Sequence, residues 1–413
     1  MLLFDSDSLD NMAFGFLQFK SEDGSFHAAL TNDPRGLLSL YNAAHLLTHG
    51  HLISRHHLES IANKLQSPLA EQVKRALQIP LPRKLKRVEA LQYISEYKEE
   101  EAYNKLLLEL AKLDFNILQR FHLKELKVVS EWYKDLYGEV RLNYARDRMF
   151  YFWSNAVYYE QEHTRARIML AKIFALTSLL DDTYDSYATL EDSQKLNQAI
   201  QRWDLKYASI LPEYLRKYYA KLISTFREVE DELEADEKFR VAYIRKAFQT
   251  LSARYCREAE WFHNNYIPSF KEHMDGSVIT SGAPMLCVAL LVGMGDVATR
   301  EAFEWAIGCT DAVKASGEVT RFVDDLAAFK CYITDHKVTD EVAIAKIESL
   351  NQDAWKTVNQ AYFERPALLP LVKRVANLAM SMEFLFLNKR DAYTFSKYNK
   401  ETIEEVFVKP IPL

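Results

Sequence analysis

Residues 166–187 read ARIMLAKIFALTSLLDDTYDSY, and this stretch decides the class of fold. From His163 to Leu180 the spacing puts Ile168, Ala171, Ala175 and Leu179 on one face, and Ile173, Phe174 and Leu180 widen the stripe. That is the 3.6-residue period of a helix. The same period runs through Asp311–Phe329, at Ala312, Val319, Phe322, Val323 and Leu326, and a further helical run extends from Ile223 to Tyr266. Strand-like alternation is sustained nowhere, so the expected class is all-α. Only 11 Gly and 11 Pro occur among 413 residues, which leaves few tight turns and argues against a β-sandwich or barrel. A Pro-flanked connector, IPLPRKLKR at 79–87, precedes an acidic helical stretch. We expect a boundary near Tyr103, with a smaller helical unit over 1–102 and one large helical domain over 103–413. No fixed-period repeat supports a solenoid.

Composition narrows the function. With 52 Lys+Arg against 58 Asp+Glu the net charge is −6, and no long basic run offers a footprint for nucleic acid. Hydrophobic residues at 48% exclude a disordered chain. Aromatics at 13%, with 23 Phe, 23 Tyr and 6 Trp, are plentiful. Cys256, Cys287, Cys309 and Cys331 stand singly, giving neither a disulfide framework nor a zinc site. No apolar run reaches the length of a membrane span. The start, MLLFDSDSLDN, reads as neither a secretory signal nor a transit peptide, so a cytoplasmic protein is expected.

The chemistry gathers at the aspartates. Asp181 and Asp185 are four apart, a turn apart on one helical face, with Asp182 between them. Like charges so placed repel, and a hard divalent cation such as Mg²⁺ relieves the repulsion; a solvated helix end is the plain alternative. A calcium loop counted from Asp181 fails, because Ser186 and Asp192 stand where Gly and Glu are required. A second cluster, TRFVDDLAAFK, sets Arg321 three residues before Asp324, with Asp325 beside it; alone it reads as a salt bridge. Arg146 and Arg148 in RLNYARDRMF form a third charged pair. Together the clusters suggest two acidic helix faces holding Mg²⁺ and arginines completing a cradle for a diphosphate.

DDTYD matches the DDxxD motif of class I terpene synthases. RDR, YFW, DPRGLLSLYNAAHL (33–46), RHHLES, AKLDFNILQ and the late RDAYTF extend the resemblance, over essentially the whole chain, to plant sesquiterpene synthases. The resemblance implies an all-α class I domain behind a smaller N-terminal helical domain. It implies a cytoplasmic, monomeric enzyme using Mg²⁺ (three ions, Mn²⁺ as substitute) on a small-molecule prenyl diphosphate, with no nucleic-acid or membrane partner. By position, Asp181, Asp182, Asp185, Asp324 and Asp325 resemble the metal ligands, and Arg321, Arg146 and Arg148 the diphosphate-binding arginines. Trp153, Phe386 and Tyr393 resemble pocket walls, whose ring faces stabilise cations at roughly 0.5–2 kcal/mol each. Thr280, Ser281 and Gly282, ahead of Pro284, fall where the family breaks a helix, and Asp391 with Tyr393 is the expected place of proton transfer. The cytosolic setting implies farnesyl diphosphate, with geranyl diphosphate as the alternative.

The chain departs from the family pattern. Ala328 and Tyr332 stand where the second motif continues with a hydroxyl residue and a Glu, and the N-terminal unit is abbreviated. The stopped pattern leads us to expect omitted residues between Lys330 and Cys331, with smaller omissions near Gly50 and Met149. Three rivals compete. Chain-elongating prenyltransferases carry two complete aspartate-rich motifs, and 324–328 offers only two Asp. A ferritin-like di-iron protein would use the ExxH pairs Glu160/His163 and Glu260/His263. A non-catalytic scaffold is the third. The DxDD run of proton-initiated cyclases does not occur.

Overall fold

The structure is a computed structural model that describes residues 33–46, 54–142, 149–324 and 326–413. Arg146, Arg148, Asp325, Gly50 and the 1–11 stretch read for targeting lie outside these residues. Among the described residues every regular element is helical.

The first helices, α1 (Pro34–Ala44), α2 (Ser54–Ala62) and α3 (Leu69–Gln78), enclose a small core of Leu37, Tyr41, Leu58 and Val73. After α4 (Lys86–Glu96) the chain enters the long α5 (Lys105–Val140), where the Asn104 side chain caps the amides of Leu106 and Leu107. There follow α6 (Phe150–Val157), α7 (Thr164–Asp182), α8 (Leu190–Arg202), α9 (Glu213–Asp231) and α10 (Arg240–His263). The chain continues with α11 (Phe270–Thr280), α12 (Ala283–Ala289), α13 (Arg300–Ile307), α14 (Asp311–Asp324) and α15 (Leu326–His336). It ends with α16 (Asp340–Glu364), α17 (Leu369–Leu385) and α18 (Lys400–Phe407).

α7 carries the deciding stretch, and its setting differs from the one-sided stripe read from the sequence. Residues 169–171 and 173–180 are buried all round the helix, so α7 is a central strut and not a surface helix. Even Arg167 is fully buried: it pairs with Glu125 of α5 at 2.6 Å and donates to the carbonyls of Tyr158 and Glu160. Glu125 also accepts from Tyr151 and Thr164. Burial would raise the Glu125 pKa, but hydrogen bonds from Arg167 and Thr164 and the Arg167 charge outweigh it and hold the carboxyl below its ordinary value.

The run expected over 223–266 is two helices, α9 and α10, broken by the charged segment 232–239. Glu237 in that segment ties to Arg165 and Arg240, whose guanidinium donates to the carbonyls of Val292 and Gly295. α15 carries Lys330 and Cys331 in its middle turns, between Leu326 and His336.

α14 packs against α11, α16 and α17, and α6 against α7 and α17. Gly317 makes the α11 contact close: a Cβ there would meet the Val278 carbonyl oxygen at 2.8 Å and Val278 Cγ1 at 2.9 Å.

Candidate active site

α7 does not continue as an α-helix through the second aspartate. It ends at Asp182 and widens into a π-helical turn, Thr183–Tyr187, closed by the Ala188 amide donating to the Thr183 carbonyl at 2.8 Å. The simple one-turn spacing of Asp181 and Asp185 is thereby corrected: the wider turn presents Asp185 at the surface, Asp181 half-buried and Asp182 buried. Such turns are frequent at functional sites. Thr183 anchors this one through its hydroxyl to the Leu179 carbonyl at 2.6 Å.

These aspartates form one rim of a cavity of about 230 Å³. α14 supplies the facing rim with Thr320, Arg321 and Asp324, and the break between α11 and α12 supplies Thr280, Ser281 and Gly282. Gly282 takes φ +75°, a left-handed conformation suited to glycine, and Pro284 follows in the first turn of α12. The break serves Arg321 directly. Its Nε donates to the Ser277 carbonyl at 2.7 Å and a terminal nitrogen to the Thr280 hydroxyl at 3.0 Å, while that hydroxyl donates to Glu258 at 2.7 Å. The guanidinium is therefore oriented from α11.

Below the charged rims the lining turns aromatic. Trp153 of α6 stacks on Phe174 of α7 at 4.1 Å and 10°, and Tyr393 meets its edge at 5.5 Å. The indole nitrogen donates to Ser381 at 2.7 Å, which fixes the ring, and the Tyr393 hydroxyl donates to Ser178 at 3.0 Å. Phe386 and Met382 complete this part of the lining. Asp391 also faces the cavity, and its carboxylate accepts the Thr394 amide at 2.7 Å, which shapes the loop that brings Tyr393 inward.

Asp181, Asp182, Asp185, Asp324, Arg321, Trp153, Thr280, Phe386, Tyr393 and Asp391 thus share one cavity, although they come from five separate stretches of chain. Sequence reasoning missed Phe174, Ser178, Tyr255 and Glu258. Phe174 stands in the sequence as one more residue of the apolar stripe, and the RYCREAEWF stretch carrying the last two has no spacing that marks it. Burial pushes the Tyr255 hydroxyl well above its ordinary pKa, and the charges of Asp181 and Asp185 add to the shift.

The cavity's donor set suits a hard cation: among the described residues its lining includes carboxylates and hydroxyls but neither Cys nor His. No three His, Cys, Asp or Glu side chains among the described residues converge as a ready cage. Mg²⁺ sites commonly use one or two carboxylates, with substrate phosphates and water completing the shell, so the residues present fit Mg²⁺. Farther along α15 nothing extends this donor set. Ala328 is buried, and Tyr332 packs against Phe270 at 5.1 Å and His336 at 4.3 Å. The ExxH pair Glu160/His163 is engaged elsewhere, since Arg374 pairs with Glu160 at 2.9 Å and contacts His163 Nε2 at 2.8 Å.

Comparison with known proteins agrees with this geometry. The family described as terpene synthase, metal binding domain, matches residues 134–357, and the one described as terpene synthase, N-terminal domain, matches 12–77. The chain belongs to the terpene synthase family. It is 57% identical to a tau-cadinol synthase of Zea mays over 95% of this chain and 77% of that one. It is 50% identical to an alpha-copaene synthase of the same plant, over 95% of this chain and 79% of that one. Its fold resembles isoprene synthase of grey poplar leaves, solved with three Mg²⁺ ions and dimethylallyl-S-thiolodiphosphate (TM-score 0.88, 27% identity, 96% of this chain, 80% of that one). It also resembles a limonene synthase solved with 2-fluorolinalyl diphosphate (TM-score 0.86, 26% identity, 96% and 78%). The class I all-α architecture, the lyase class and the use of divalent metal come with the family. No helix among the described residues is long and apolar enough to cross a membrane.

Proposed function

We propose that this terpene synthase ionises farnesyl diphosphate with Mg²⁺, cyclises the carbocation to a sesquiterpene and releases diphosphate. One observation carries the reading: two acidic rims and an oriented arginine stand over an aromatic-lined cavity. The relatives named for tau-cadinol and alpha-copaene support a C15 substrate.

In this reading Asp181, Asp182 and Asp185 hold metal from one rim and Asp324 from the other, and Asp325 is carried as a further ligand by its match to the family's second motif. Bound Mg²⁺, three ions as in the poplar enzyme and replaceable by Mn²⁺, supplies Lewis-acid neutralisation of the diphosphate charge. Arg321, with Arg146 and Arg148, binds the diphosphate oxygens; when the C1–O bond breaks, the electron pair leaves on oxygen and the guanidinium already faces the growing charge. Trp153, Phe174, Phe386 and Tyr393 surround the hydrocarbon, keep water out and offer ring faces or edges that do not capture the cation. The Tyr393 hydroxyl, held on Ser178, and Asp391 stand where a proton leaves the final cation. The division into a supporting unit, 1–102, and a catalytic domain, 103–413, belongs to the same reading, as do a monomeric state and a cytosolic setting.

The test is gas chromatography–mass spectrometry of products from farnesyl and geranyl diphosphate, with Mg²⁺ and with chelator. Cyclic C15 products that require metal are expected. Turnover of geranyl diphosphate alone would refute the substrate, and turnover of neither would refute the reading.

A further inference from the structure

Tyr255, on α10, is only 3% exposed. A buried phenol normally finds an acceptor, and other buried tyrosines of the same core do. Tyr218 donates to the Leu176 carbonyl at 2.9 Å, Tyr219 to the Ala199 carbonyl at 2.8 Å, and Tyr184 pairs with Ser252 at 2.9 Å. The Tyr255 hydroxyl has no hydrogen bond among the described residues. Yet this ring lines the cavity, where its hydroxyl lies within electrostatic reach of Asp181, Asp185, Tyr393 and Arg321.

Its position is built in. Tyr184 sits in the π-turn between the metal-rim aspartates, and its ring packs on Tyr255 at 5.6 Å and 32°. Tyr184 is anchored through Ser252, one turn before Tyr255 on the same helix. The turn that displays Asp185 therefore also sets the phenol. One turn further on, Glu258 takes the Thr280 hydroxyl that in turn receives Arg321. This face of α10 backs both rims.

We propose that Tyr255 is a catalytic residue whose hydroxyl donates a hydrogen bond to an oxygen of the substrate diphosphate; this rests on the prenyl diphosphate reading above. A neutral donor is suited to this place. It adds no positive charge to attract Asp181 and Asp185 when the site is empty, and it strengthens its bond as C1–O cleavage puts the electron pair on the diphosphate. No proton is transferred: the phenol keeps its hydrogen throughout. After ionisation the same bond retains the diphosphate on the rim while the cation rearranges below.

The test compares wild type with Tyr255→Phe, which removes one oxygen and keeps the ring against Tyr184. Three measurements are made: melting temperature without ligand, calorimetric binding of inorganic diphosphate in Mg²⁺, and kcat with KM for farnesyl diphosphate. We expect an unchanged or higher melting temperature, since no protein hydrogen bond is lost. We expect diphosphate affinity and kcat each about tenfold lower, the scale of a hydrogen bond to a charged group. A lower melting temperature with unchanged diphosphate affinity would mean that the hydroxyl serves the fold and would overturn the proposal, as would unchanged binding and kinetics. If wild type itself neither binds diphosphate nor turns over, the functional reading fails instead.

Discussion

Gly317→Ala isolates the packing that aims Arg321. Helix propensity alone favours the change by about 1 kcal/mol, because glycine is a poor residue in a helix interior such as that of α14. Packing opposes it. The new methyl would sit 2.8 Å from the Val278 carbonyl oxygen, 2.9 Å from Val278 Cγ1 and 3.4 Å from the Ser281 hydroxyl. The nearest obstacle is backbone, so α11 must shift, and overpacking of this kind costs about 1–3 kcal/mol. Taking the upper part of that range, the net effect is a loss of about 1–2 kcal/mol, or roughly 1–3 °C of melting temperature in a domain of this size. The same shift displaces the Ser277 carbonyl and Thr280 hydroxyl that hold Arg321. Misplacement by about 1 Å can cost up to about a hundredfold in rate, so kcat/KM should fall at least about tenfold. Gly138→Ala is the control, because a methyl at that exposed position of α5 meets nothing within 4 Å; it should gain up to about 1 kcal/mol. Differential scanning calorimetry and steady-state kinetics read both variants. A Gly317→Ala protein that gains stability like the control, with unaltered kinetics, would refute the reasoning.

Further outcomes can be checked on the same protein. Asp181→Ala and Asp185→Ala should each lower turnover by about two orders of magnitude, the upper scale for losing even an outer partner of a metal ligand. Neither should lose melting temperature, since same-rim repulsion is relieved; near-normal product formation at saturating Mg²⁺ would exclude them as ligands. Trp153→Ala should shift products toward acyclic and hydroxylated compounds and cost about 3–5 kcal/mol of stability as a buried ring is lost. Trp153→Phe, which keeps a ring face, should retain more of the cyclic product. An unchanged profile in Trp153→Ala would leave that residue a packing role alone. The Glu125 carboxyl, ordinarily near 4.5, is lowered by Arg167 and its other donors. Below that ordinary value the unfolded chain takes up the proton first, so the pairing stabilises at higher pH and is lost as pH falls through the folded value. Melting temperature should therefore fall on acidification below about pH 4.5 more steeply in wild type than in Glu125→Gln, which is already weaker at pH 7; parallel slopes would contradict this.

Much was legible in the sequence because it was local. Helical periodicity, the run of apolar residues ahead of Asp181 and the scarcity of glycine and proline lie within one helix length, so the all-α class follows without tertiary knowledge. The clustering of Asp181, Asp185, Arg321 and Asp324 was suggested by reading the charged groups jointly and was implied by the resemblance to class I terpene synthases, since spacing alone leaves each group its plain structural alternative. Other features depended on what the helices pack against. The fully buried setting of α7 arises because α5, α6 and neighbouring helices cover it, a fact outside its own period. The π-turn that separates Asp181 from Asp185 leaves no mark in DDTYD. Tyr255 and Phe174 are indistinguishable in sequence from the chain's other rings. Only the crossing of α7, α10 and α14 decides that Tyr255 faces the cavity with no hydrogen bond from its hydroxyl among the described residues, while Tyr218 and Tyr219 spend theirs on backbone carbonyls. Periodicity sets which face of a helix seeks burial; the packing of distant helices sets whether a buried ring meets a wall or the cavity.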